Sequence, residues 1–198
     1  MANGRVLTGF SLPYVALYTA SSGNVTYSSG QILARGVSVS LEVESASDDN
    51  IFYADNVSAE VVAGQFTGGS ATLTVDGLLQ NAEKLLLGLP TAGSDGFTPY
   101  GDSQSIPYVG LGFICRYMSD GVTSYVPVIL TKCRANQPNL EANTQEEEID
   151  WQTQEIEFSV LRDDSSNHTW KLVGTAKTTE ALAEADIKTK FGVTGGNV

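Results

Sequence analysis

The chain has few basic residues and no long apolar run. Of its 198 residues, 11 are Lys or Arg and 23 are Asp or Glu, so the formal net charge is −12. Proteins that coat nucleic acids or dock on anionic membranes need clustered Lys and Arg, so this composition argues against both classes. No apolar run approaches the roughly 18 residues of a spanning helix, and residues 1–9 lack the pattern of a signal peptide. We therefore expect no membrane partner.

Two cysteines and one histidine limit the possible chemistry. A structural zinc site needs four Cys or His ligands, and the chain has three, widely separated. A Ser-His-acid triad would have to use His168, which lies in a polar stretch predicted to be a turn. Paired acids such as Glu42 and Glu44 are better interpreted as one strand face than as a glycosidase pair. We expect no catalytic residue, no metal, no cofactor and no enzymatic activity.

Alternation of apolar and polar residues is the strongest structural signal that is present. Over residues 36–45, Val or Leu alternates with Ser or Glu, which predicts a strand with one buried and one wet face. Segments 57–61, 71–76 and 155–160 show the same period of two. The sequence therefore predicts seven to nine antiparallel strands.

A hairpin is predicted from residue 108 to about residue 132, because Asp120-Gly121 is a strong signal for a tight turn. A turn centred there places Cys115 opposite Val126 and Cys133 opposite Tyr108. The two cysteines then lie too far apart to pair. We expect two free thiols, one of them buried.

Two helices are predicted. Leucines spaced by three and four indicate a central helix at about 77–88, with Asp76 as N-cap and Gly88 as the stop. Thr178 or Thr179 is suited to cap a C-terminal helix at about 179–191, and residues 193–198 are expected to form a flexible tail. The fold class is mainly β with minor α: a single domain over 1–198, an antiparallel β-sandwich or curled sheet flanked by the two helices.

The acidic residues are concentrated in two blocks that have no Lys or Arg. Residues 36–83 hold eight acids and residues 135–161 hold seven. Solvated strand faces that keep the protein soluble are one explanation. The other is a sheet face that must not bind a polyanion, since like charges repel phosphates and small side chains offer no stacking platform for bases.

Two sequence motifs occur in a distinctive order. The first is Ile51-Phe52-Tyr53-Ala54-Asp55-Asn56, and the second is Pro107-Tyr108-Val109-Gly110-Leu111-Gly112-Phe113. The first lies between alternating acid-bearing strands, and a Leu-rich helix separates the two. The chain then ends with a Glu-rich strand, Trp170 and a short helix ending at Phe191-Gly192. From about residue 4 to residue 192, this order resembles the major tail tube proteins of long, non-contractile-tailed bacteriophages.

The resemblance implies a β-sandwich-like tube fold in which six subunits form a ring by joining their sheets. Stacked rings would form a virion tail tube through which double-stranded DNA passes, without sticking, during ejection into the host. It implies assembly in the bacterial cytoplasm. The implied partners are further copies of the chain, a tape-measure protein, a tail terminator and tail-tip proteins.

On this interpretation, the polar strand faces are candidates for the tube lumen: Ser38, Ser40, Glu42, Glu44, Ser58, Glu60, Thr72 and Thr74. The segment between the first two alternating strands supplies candidates for subunit or ring contacts: Asp48, Asp49, Ile51, Phe52, Tyr53 and Asp55. The alternatives are a tail terminator, a decoration protein, the tube of a bacterial tail-derived particle, or a β-sandwich adhesin or glycan-binding module. The missing signal peptide and the few aromatics on wet faces count against the last two.

Overall fold

The computed structural model describes residues 4–45, 50–54, 57–62, 65–102, 104–144 and 151–193, with backbone alone for residues 50–62. These residues form ten strands and two helices. In chain order, the elements are β1 (Val6–Ser21), β2 (Asn24–Ile32), β3 (Gly36–Ser45), β4 (Asn50–Ala54), β5 (Val57–Val62), β6 (Phe66–Val75), α1 (Gln80–Leu87), β7 (Val109–Ser119), β8 (Val122–Ala135), β9 (Gln154–Leu161), β10 (Lys171–Val173) and α2 (Glu180–Phe191).

Eight strands form one open antiparallel sheet in the order β2-β1-β7-β8-β9-β6-β3, with β10 also beside β8. The remaining two, β4 and β5, pair with each other in a separate two-stranded sheet. The large sheet curls, since the ring of Phe10 on β1 lies against Gly36 on β3, near the far end of the strand order. The predicted mainly β fold with a curled antiparallel sheet is confirmed.

The two helices pack on opposite faces of this sheet. The larger core fills the inner face, where apolar residues of β6, β7, β8 and β9 meet Ala82, Leu86 and Leu87 of α1. A smaller core lies on the outer face of β1, β7 and β8, where Ala183, Ile187 and Phe191 of α2 are buried. The outer face of the remaining strands therefore has no helix packed on it within the described residues.

The C-terminal helix matches its prediction closely. The Thr179 side chain accepts a hydrogen bond from the backbone N–H of Leu182, and Gly192 ends the helix with φ of 61°. The backbone N–H of Val193 donates to the carbonyl of Lys188, and its side chain packs against the smaller core. The rest of the predicted flexible tail, 194–198, lies outside the described residues.

The central helix begins at Gln80, three residues later than predicted. Asp76 is not its cap: the Asp76 carboxylate accepts hydrogen bonds from the backbone and side chain of Arg35, and this contact lowers the pKa of the carboxyl. Leu79 precedes the helix without a side-chain cap. The stop at Gly88, with φ of 64°, is confirmed.

The β7–β8 hairpin turns at Asp120-Gly121, both with positive φ, as predicted. Cys115 pairs with Val126, but Cys133 pairs with Val109 instead of Tyr108. An irregularity between Val109 and Leu111 shifts the register by one residue and is the cause of the error. Both thiols are free and both are buried, rather than one, and burial raises the pKa of each.

We expect the docking of α2 on β1 to depend on pH. The Tyr14 hydroxyl donates to Glu184 at 2.6 Å, and burial together with this carboxylate raises the pKa of Tyr14 to about 12. An unfolded tyrosine has a pKa of about 10. The neutral phenol therefore stabilises the folded state below pH 10, and this contribution is lost as pH rises toward 12. In denaturant titrations, we expect Tyr14→Phe to reduce the loss of stability between these pH values. Equal losses in both proteins would contradict this assignment.

Candidate functional site

The outer face of β3, β6 and β9 is polar, acidic and open to solvent. The strand register places Ser40, Thr72 and Glu157 in one row across the three strands. Neighbouring rows extend the pattern in both directions. We call this surface the acidic face, and it consists of Ser38, Ser40, Glu42 and Glu44 on β3, Ser70, Thr72 and Thr74 on β6, and Glu155, Glu157 and Ser159 on β9.

Alternation within each strand produces this face. Residues between the polar positions, such as Leu73, Ile156 and Phe158, point to the inner face and are fully or almost fully buried. Burial of that face fixes the register, because a slip of one residue would expose the apolar set. On β6 and β9, the polar side chains are thus held outward by the packing behind them. On β3, Val39 and Leu41 pack against the core, whereas Val37 and Val43 are about half exposed.

The acidic face combines small hydroxyls with exposed carboxylates. The Ser38 hydroxyl donates to the Thr74 hydroxyl at 3.0 Å across two strands. At the β9 side of the face, the side-chain amide of Asn136 donates to the Glu157 carboxylate at 3.2 Å. Glu42 and the remaining glutamates are exposed. The face therefore presents short polar groups and negative charge, without an aromatic platform.

No Lys or Arg lies on β3, β6 or β9. The first basic residue along the row of Ser159 is Arg134 on β8, which marks the border of the acidic face. Glutamates at alternate positions of a strand are about 7 Å apart, which is within the Debye length of about 8 Å at physiological salt. The fields therefore add within each of two pairs, Glu42 with Glu44 and Glu155 with Glu157, and a polyanion near this face is repelled by both pairs.

The structure brings together six of the eight predicted lumen residues: Ser38, Ser40, Glu42, Glu44, Thr72 and Thr74. It separates the other two, because Ser58 and Glu60 lie on β5 in the two-stranded sheet. Four members of the face were missing from the prediction: Ser70, Glu155, Glu157 and Ser159. The last three alternate visibly in the sequence, but nothing local shows that β9 pairs with β6.

The predicted contact residues are only partly described. Ile51, Phe52 and Tyr53 lie on β4, which pairs with β5, so this apolar segment is a strand. Asp48, Asp49 and Asp55 lie outside the described residues. Whether any of the six contacts a second subunit stays a prediction.

Other polar features have local explanations. In the turn before β10, the Ser165 hydroxyl donates to the Asp163 carboxylate at 2.6 Å, and Nδ1 of His168 lies 3.3 Å from the Asp163 carbonyl oxygen. Ser165 thus bonds an acid in the turn, and His168 adopts positive φ there. Across the described ranges, no three His, Cys, Asp or Glu residues are grouped to hold a metal ion. In the same part of the chain, neither helix is long and apolar enough to cross a membrane.

No protein-family model matches the chain, and no curated protein matches it. The acidic face is therefore the observation from which a function can be proposed. Its exposed carboxylates can repel anions.

Proposed function

We propose that the chain is a structural subunit that assembles with its own copies into stacked rings. These rings form the tail tube of a bacteriophage, and the tube conducts double-stranded DNA. The acidic face lines the lumen. The single observation that supports this most is the uncovered surface of hydroxyls and glutamates across β3, β6 and β9.

A conduit for DNA has to avoid binding it. Double-stranded DNA has one negative charge for about every 1.7 Å of its axis, and proteins bind it mainly through Lys and Arg. The three strands of the acidic face have neither residue type. Their short side chains also offer bases nothing to stack on. DNA can therefore slide past such a wall without being held by it.

An open strand edge supports self-assembly. β3 is the last strand of the sheet order and pairs only with β6 within the described residues. An unpaired strand edge attracts another strand, and pairing with a neighbouring subunit satisfies it. Contacts between two different edges are heterologous and close into rings when the rotation permits. The acidic face continues to β3, so joined sheets would extend it around a lumen.

Assembly of the purified chain tests this function. We expect concentrated protein to form hollow tubes in negative-stain images and fast-sedimenting species in the ultracentrifuge. The hollow centre should fill with stain. Protein that stays monomeric from micromolar to millimolar concentration, with or without preformed tube fragments as seeds, would overturn the proposal.

A further inference from the structure

An apolar groove separates β10 from α2 on the outer face of the sheet. It has a volume of about 210 Å³. Its lining is apolar at Pro127, Ile129, Leu172, Val173, Gly174 and Ile187, and charged at Asp186 and Lys190. Leu172 and Val173 remain 37% and 54% exposed. The groove therefore leaves apolar surface uncovered within the described part of the chain.

The groove also has an available cation. Lys190 lines it and is exposed, and no ion pair of Lys190 occurs among the described residues. The two neighbouring lysines on this side are occupied: Lys177 pairs with Asp186 at 2.9 Å and Lys188 with Glu184 at 2.7 Å. Because one acid and one lysine line the groove, it suits an uncharged aromatic ring, over which Lys190 can lie.

The segment between β8 and β9, residues 136–153, is called the arm, and it offers such a ring. Leu140 is 92% exposed and Trp151 is 83% exposed. Tryptophan is usually well buried, and a side chain of this size contributes strongly to interfaces. An exposed Trp side chain is complementary to an apolar groove that a lysine lines.

Trp151 is too far from the groove of its own chain. Phe158 on β9 pairs with Ala135 on β8. Ile129 lies six residues before Ala135 on β8. Because β9 runs antiparallel to β8, Gln154, four residues before Phe158, lies in the opposite direction from this pair. Ile129 and Gln154 are therefore ten positions apart, which corresponds to about 33 Å along the strands. Trp151 is three residues from Gln154 and reaches at most about 11 Å from it.

We propose that the groove between β10 and α2 binds Trp151 of a second copy of this chain. The partner's indole fills the apolar groove over Ile129 and Leu172, and Lys190 faces the indole. The contact is heterologous, so each subunit can both donate an arm and accept one. This inference deepens the proposed function by naming one contact between subunits, but it requires only a second copy.

Site-directed cross-linking tests the contact. Trp151→Cys protein mixed with Val173→Cys protein should give a covalent dimer with a short bis-maleimide, whereas each variant alone should not. The native thiols are buried, so they stay unreactive in the folded protein. In the matched control, Phe97→Cys replaces Trp151→Cys in the mixture with Val173→Cys. Phe97 is 76% exposed on another loop. A missing dimer, or an equal yield with Phe97→Cys, would overturn the proposal.

Assembly concentrations give an independent readout. Trp151→Ala should raise the concentration needed for assembly at least about tenfold, as is typical for a central aromatic contact. Lys190→Glu should raise it as well, and Phe97→Ala should leave it unchanged. Tubes that form from Trp151→Ala protein at an unchanged concentration would refute the docking contact and leave the tube function standing. Specific cross-linked dimers without any tubes would support the contact and count against the tube.

Discussion

Replacing Phe191 with alanine is expected to lower the free energy of unfolding by about 3–5 kcal/mol, the range for a buried Phe. Phe191 is fully buried and is the last residue of α2. Its ring lies against Gly110 and Gly112 of β7, and the ring of Tyr27 lies 5.0 Å away between centroids. Alanine would leave a cavity between the helix and the sheet that these glycines cannot fill.

Leu182→Ala on the same helix is the matched control. Leu182 is half-exposed, so its truncation should change stability by much less. Urea unfolding of both variants measures the difference through the transition midpoint and slope. Equal effects of the two substitutions would show that α2 is not held by its Phe191 anchor.

The second large effect concerns the acidic face. Tubes formed from a Glu42→Lys, Glu155→Lys variant are expected to retain double-stranded DNA that wild-type tubes release. Each lysine that contacts a phosphate releases a counterion, and about 6–10 such contacts change affinity by on the order of 10³–10⁵ between 50 and 200 mM salt. Repetition of the two lysines around each ring supplies contacts of that number. Co-sedimentation of labelled DNA with tubes over a salt series measures this.

Glu42→Lys alone and Asp102→Lys each change the net charge by +2 per subunit, so they form a pair matched in charge. Asp102 is exposed on a loop away from the acidic face, and Asp102→Lys is therefore the control. This variant should release DNA as the wild type does. Two results would contradict a lumen position for the acidic face. One is that the Asp102→Lys tubes retain as much DNA as the Glu42→Lys tubes, and the other is that the Glu42→Lys, Glu155→Lys tubes retain no DNA. Circular dichroism should show unchanged folding in all variants, since the three sites are exposed.

Local signals in the sequence predicted most of the strands. They also predicted the C-terminal ends of both helices, which are at Gly88 and Gly192. Alternation located β3 correctly over Gly36–Ser45, because one face of that strand is wet and the other packs on the core through Val39 and Leu41. Thr179 and Gly192 delimited α2 because caps act within a few residues. The motif around Val109-Gly110-Leu111-Gly112 needs glycine at both positions because a Cβ at either one would clash with Phe191.

Non-local pairing accounts for what the sequence did not reveal. β9 lies beside β6, so Glu155 and Glu157 extend the acidic face across residues more than 70 positions apart in the chain. The irregularity at Val109 moved the partner of Cys133 by one residue. Asp76 binds Arg35 across 41 positions rather than capping α1. Each of these depends on contacts that no short window contains.

The central claim is that the acidic face lines a tube. An electron cryomicroscopy reconstruction of assembled tubes, at a resolution that separates strands, tests it most directly. We predict rings in which β3, β6 and β9 turn Glu42, Glu44, Glu155 and Glu157 toward a continuous lumen, with α2 on the outside. Tubes whose lumen is lined by α2, with the acidic face outward or buried between rings, would contradict it.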